Sequence, residues 1–244
     1  NGLNFQDQNK TNPYKFGFIG SSDTHVAATS DDESNYFSKV GLMDSNAMLR
    51  GSIPASEEEL ATRRNNNNAQ NRIKEVDGKE YISGAIETFG ASGIAGVWAE
   101  ANTRDAIYDA FRRKETFATS GPRMKIRLFA GYGFDNEMLN DEDVIEKAYA
   151  TGVAMGSDIL ASPQIEGKSE APGFLLWATQ DARSAPLQRL QIIKGWVVDG
   201  KHHEQIYDVA CADGGKVDST THRCPDNGAK VSISDCSISE DLGA

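Results

Sequence analysis

Tyr14-Lys15-Phe16-Gly17-Phe18-Ile19-Gly20-Ser21-Ser22-Asp23-Thr24-His25 is the stretch on which the reading of the fold turns. Its apolar half, with Phe16, Phe18 and Ile19, predicts a buried β-strand, and Gly20, Ser21 and Ser22 let the backbone turn closely at the strand's carboxyl end. In an extended segment side chains alternate faces, so Asp23 and His25, at i and i+2, point the same way and can grip one metal ion. Carboxylate oxygen and imidazole nitrogen both suit zinc, manganese or iron. Spacing alone leaves a second reading open, an ordinary hydrogen-bonded Asp and His. Context favours the ligands, because open and barrel α/β folds place active sites at the carboxyl ends of their strands.

Downstream, residues 26–92 carry little regular signal beyond a short helix expected over Glu57 to Arg64, started by Pro54 and Ser56, and an exposed loop at Asn65 to Asn68. So long a stretch directly after two candidate ligands reads either as a lid or substrate-shaping insertion or as a plain excursion. From Gly93 the pattern sharpens. Ile94, Val97 and Trp98 read as a short strand, and Asn102 or Thr103 caps a helix through Lys114 with Ala106, Ile107, Ala110 and Phe111 as its apolar stripe. If that strand is parallel to the Asp23 strand, Glu100 and Arg104 lie at the same end of the sheet, where Glu100 can orient a ligand and Arg104 can clamp an anionic oxygen. Both are therefore candidate catalytic residues, although Arg104 can equally pair with Glu100 or Asp105.

Past the turn chemistry of Thr119 to Arg123, period-two segments take over at Met124 to Phe129, Phe174 to Ala178, Leu190 to Val198 and Ile206 to Val209, with one helix expected at Asp141 to Tyr149. These predict an antiparallel, sandwich-like unit with Trp177 and Trp196 in its core. His202 and His203 follow an Asp199-Gly200 turn and read as a solvated hairpin tip, and His222 reads as surface.

The stretch FGFIGSSDTH resembles the last metal-binding motif of the polymerase and histidinol phosphatase (PHP) superfamily. Two further stretches, Gly93 to Arg123 and Leu187 to Ala210, resemble an exported bacterial branch of it catalogued as a domain of unknown function, family 3604. The resemblance implies a fold of class α/β. Residues 1–120 would be the carboxyl-terminal part of a distorted PHP-like α/β barrel with a long insertion at 26–92, and residues 121–244 a β-sandwich-like domain with a cysteine-containing tail. It implies a metal-dependent hydrolase of phosphoester or related ester bonds in a small-molecule substrate, with a multinuclear zinc, manganese or iron centre built partly from Asp23 and His25. The family's other ligands precede its Asp-x-His, whereas no histidine precedes Asp23 here. The resemblance thus implies a carboxyl-terminal portion whose partner is the missing amino-terminal part of the same protein, inactive by itself. The alternative is an exported non-enzymatic binding module with a degenerate barrel.

Composition bounds these readings. With 244 residues and 39% hydrophobic content a core can form, and no apolar run approaches the roughly 20 residues of a membrane span. A net charge of −11 repels nucleic acid and anionic membranes. All three cysteines, Cys211, Cys224 and Cys236, fall in the tail amid polar residues. Disulfides in an oxidising compartment, periplasmic or extracellular, are expected. A zinc knuckle with His222 fits no standard ligand spacing. The odd count calls for a further thiol elsewhere.

Overall fold

A computed structural model describes residues 2–21, 23–27, 39–66, 72–83, 93–160, 171–232 and 237–244. The chain divides into a larger unit, Asn1–Phe18, Val97–Phe117 and Met124–Ala244, and a smaller one, Ile19–Gly96 with Ala118–Arg123.

In the smaller unit, helix α2 (Glu57–Arg64; α1 is Gly2–Asp7 of the larger unit) begins where Ser56 Oγ accepts the Glu59 amide at 3.3 Å. Three glutamates in its first turn and Arg63 and Arg64 in its last complement the helix dipole, as the sequence predicts for this segment. Leu60 is its buried anchor. Strands β1 (Arg72–Val76) and β2 (Lys79–Ser83) form a hairpin that the sequence reading did not foresee. Its two-residue turn, Asp77 at φ 50° and Gly78 at φ 73°, has the positive angles that match the twist of paired strands. The Ala55 amide donates to Glu80 O at 2.8 Å, joining the entrance of α2 to β2.

The larger unit holds α3 (Arg104–Arg113), capped by Thr103 Oγ1 on the Ala106 amide and ended by Lys114 at φ 64°. The predicted stripe buries Ala110 fully, while Phe111 is exposed. Short strands β3 (Ala95–Val97) and β4 (Thr116–Ala118) flank it in sequence and pair. Strand β5 (Lys125–Gly131) is the centre of a three-stranded sheet, antiparallel to both β6 (Val153–Ala154) and β7 (Gly173–Thr179). Helix α4 (Val144–Thr151) closes one face. The core it forms is Phe129, Ala148 and Leu175, with Phe134, Met138, Val144, Ile145, Ala154 and Trp177 packed around. Strands β8 (Arg189–Val198) and β9 (Lys201–Cys211) make a long hairpin turned by Asp199 and Gly200, both at positive φ.

These findings overturn the expected α/β class. The described residues form small antiparallel sheets with few helices, and no closed barrel. The reason lies in the opening segment. Phe16, Phe18 and Ile19 are 55%, 73% and 58% exposed, and no strand forms around them. Their apolarity is spent on a local ladder of rings, Phe5 against Tyr14 at 6.3 Å, Tyr14 against Phe16 at 6.3 Å and Phe16 against Phe18 at 5.5 Å. Side chains serve the segment's backbone in place of a neighbouring strand, with Thr116 Oγ1 donating to Phe18 O at 2.8 Å. The sandwich is likewise corrected. The core packs a helix on a sheet, and no residue of the β8–β9 hairpin belongs to it. Trp196 instead stacks on His203 at 5.4 Å, outside that core.

Candidate functional site

Asp23 and His25 lie in the smaller unit on an irregular segment, both exposed. Gly20 ahead of them is required by crowding, since a Cβ there would lie 2.9 Å from Ala118 Cβ and 3.0 Å from Thr119 O. Asp23 takes a left-handed conformation, φ 54°, which aspartate tolerates better than most residues. The two-residue alternation of an extended strand therefore does not set the direction of its side chain.

What brings the pair together is a brace that sequence reasoning missed. The carboxylate of Asp44, wholly buried in the 3-10 turn Gly41–Asp44, accepts the amides of Lys39 at 2.8 Å and Val40 at 3.1 Å. The residue so fixed, Lys39, serves both candidates. Its carbonyl accepts the His25 amide at 2.9 Å, and its Nζ stands 3.0 Å from Asp23 Oδ2. Hydrogen bonding to the Lys39 ammonium, then its charge, and then His25 hold the Asp23 carboxyl below the usual carboxylate range. The Asp23 side chain is 77% exposed, so Lys39 is a partner on one side of an otherwise open carboxylate. Lone pairs of Asp23 and the imidazole of His25 form two donors of the kind zinc, manganese or iron accepts. Among the described residues no group of three or more His, Cys, Asp or Glu is arranged to hold a metal ion.

Glu100 and Arg104 belong to the larger unit. Glu100 lines a cleft with Trp98, Arg113, Glu115, Arg127 and Tyr149, and its charge reaches Arg113. Arg104, at the first position of α3, is exposed and outside that lining. Trp98 is held structurally, its Nε1 donating to Ile126 O at 2.9 Å and its ring 6.0 Å from Phe117. His202 and His203 are exposed at the hairpin end, and His222 is half-buried with its ring 4.9 Å from Tyr207.

In the tail Cys211 and Cys224 form a disulfide. Cys236 lies outside the described residues. Beside the disulfide sits Asp208, whose side chain is 0% exposed. It accepts the Cys224 amide and Gln191 Nε2, each at 2.6 Å, and pairs with Arg189 and Arg223, each at 3.4 Å. Burial pushes its carboxyl upward, but these donors outweigh it and the net shift is downward. No described helix is long and apolar enough to cross a membrane.

Comparison with known proteins gives one match. The model of a family described as "Protein of unknown function (DUF3604)" covers residues 1–244. No curated protein and no solved structure matches the chain.

Proposed function

The chain belongs to the DUF3604 family of proteins of unknown function, and from that premise we propose that it is part of an exported metal-dependent hydrolase acting on a phosphoester or related ester bond of a small-molecule substrate. Asp23 and His25 are two ligands of a multinuclear centre, and the remaining donors come from outside the described residues. The likeness of FGFIGSSDTH to the last metal-binding motif of the PHP superfamily supports this reading. So does the disulfide, which is compatible with a periplasmic or extracellular location.

The observation that carries it is the open Asp23 carboxylate beside His25 on a braced segment, with an ammonium 3.0 Å away as its cation. One Asp23 oxygen meets Lys39 and the rest of the carboxylate faces solvent, where it can accept a cation. Bound zinc, manganese or iron would lower the pKa of a bound water and stabilise the charge built up during attack on the ester. The chain's own contribution is to hold the backbone of His25 on Lys39 O and to keep the Asp23 carboxyl below the usual carboxylate range. The reading rests on Asp23 and His25, and Glu100 and Arg104, which belong to the other unit, carry no step of it.

The test is metal retention. After incubation with zinc or manganese and desalting, elemental analysis of the full-length protein should find metal in the wild type and a large loss in Asp23→Asn and His25→Gln. Equal metal in all three would overturn the assignment. One observation favours the rival, a non-enzymatic binding module. Lys39 already places a positive charge on Asp23, and on that reading even the wild type retains no metal.

A further inference from the structure

Within the larger unit a cleft of about 690 Å3 lies among Trp98, Glu100, Arg113, Glu115, Arg127 and Tyr149. Its floor is a carboxylate, Glu115, with a side chain only 5% exposed. Both oxygens of Glu115 are taken, Oε1 by Arg113 Nε at 3.0 Å and Oε2 by the Tyr149 hydroxyl at 2.7 Å. Having donated to Glu115, the Tyr149 oxygen accepts Arg127 Nη2 at 3.0 Å. The relay thus runs from Arg113 through Glu115 and Tyr149 to Arg127.

Arg127 is the unusual member. Its guanidinium lies 4.6 Å from the Trp98 ring centre, 5.2 Å from that of Phe129 and 5.5 Å from that of Tyr149. It is half-buried, and among the described residues no carboxylate pairs with it. Arg113, by contrast, has Glu115 as a direct partner and Glu100 nearby. A guanidinium carries five N–H donors in a rigid plane, and one of them meets Tyr149. Three rings with centres 4.6 to 5.5 Å away favour a cation at this place.

We propose that this cleft binds a small organic acid of sugar-acid size, its carboxylate held by Arg127 and its hydroxyls by Glu100. A planar fork fits a carboxylate through two parallel bonds. Volumes of about 300 to 1,000 Å3 are those of small-molecule sites, so the cleft admits a molecule of that class. The charges already present balance as two arginines against two glutamates, which suits an acid with one charge and several hydroxyls better than a polyanion. This inference names no metal and is read without turnover, so it stands or falls separately from the hydrolase reading.

Isothermal titration of the full chain with glucuronate, and with glucose as a neutral match of similar size, tests it. Saturable heat with glucuronate and none with glucose is expected, with affinity reduced about ten- to a hundredfold in Arg127→Gln. Arg127→Lys, which keeps the charge and loses the fork, should also bind more weakly. Arg112→Gln, an exposed change on α3, should bind as the wild type does. Should Arg127→Gln not fold, the Trp98 indole N–H resonance of the wild type serves instead, since glucuronate should shift it saturably. Absence of saturable heat with glucuronate, equal binding of glucose, or shifts that bypass Trp98 would overturn the proposal.

Discussion

Asp23 and Asp208 are the same residue type with carboxyls shifted in the same direction, yet they have opposite surroundings. Asp208 is sealed from solvent, with Oδ2 facing the Cys224 amide and two guanidinium groups and Oδ1 the Gln191 side-chain amide. Asp23 is open, and Lys39 is the ion-pair partner it has among the described residues. A lowered pKa therefore does not separate a structural carboxylate from a functional one here. Exposure does, because a carboxylate sealed from solvent cannot be reached by a ligand. Asp44 stands between them, buried like Asp208 but used to place the loop that serves Asp23.

The contrast is most easily broken at Asp208. Asp208→Ala leaves Arg189, Arg223 and the Cys224 amide without their common acceptor, and urea unfolding should show a loss of about 3 to 4 kcal/mol. A loss under 1 kcal/mol would mean that the tail is not held through this carboxylate. Opening the Cys211–Cys224 loop, which spans a sequence separation of 13, by Cys211→Ser with Cys224→Ser should cost about 2 to 3 kcal/mol. The two changes meet at Cys224, so the combined variant should lose less than their sum, by at least about 0.5 kcal/mol. The same carboxylate sets an acid limit. Because its folded pKa lies below the ordinary aspartate value of about 3.9, its stabilisation is complete above that value and disappears as pH falls through the lowered one. The stability difference between wild type and Asp208→Asn should thus be flat from neutral pH to about 5 and shrink toward pH 2.

Local chemistry made several elements legible in the sequence. Ser56 before three glutamates fixes α2, Thr103 fixes the start of α3, and Asp199-Gly200 fixes the β8–β9 turn. The Asp77-Gly78 turn was equally available. The flanking strands carry Arg72, Lys74, Glu75, Lys79 and Glu80, which hide the alternation of a half-buried pair. The opening segment is ambiguous for a different reason. A run such as Phe16 to Ile19 looks the same whether its rings bury against a sheet or against each other, and only the tertiary surroundings decide. Strand positions in the second half were legible, but the partner of each sheet was not, so the expected sandwich became a helix-covered sheet and a separate hairpin. At the candidate site the motif residues were visible. The brace was not, since Asp44 and Lys39 carry no pattern that announces their bonds, and the hydrogen-bonded partners of the Asp208 carboxylate lie 16 to 19 positions from it in sequence.

The smallest effect on stability, and the sharpest on the comparison, belongs to the Lys39–Asp23 pair. The Asp23 side chain is largely exposed, and a surface ion pair adds little to folding. Asp23→Asn should therefore leave the melting temperature unchanged, whereas Asp208→Asn should lower it visibly. Lys39→Met then decides what the ammonium is for. With it gone, the Asp23 carboxyl should return toward the ordinary aspartate range in an NMR titration, because hydrogen bonding and charge from Lys39 are the leading causes of its lowering. If Lys39 merely occupies a place that a metal ion takes in the working site, Lys39→Met should retain zinc or manganese at least as well as the wild type, since a competing cation has been removed. If the ammonium is instead the permanent partner of Asp23, the variant should take up no metal and the segment carrying His25 should loosen, seen as faster exchange of the His25 amide that Lys39 O now accepts. Those two outcomes exclude each other, so a single substitution separates a carboxylate held for folding from one held ready for a ligand.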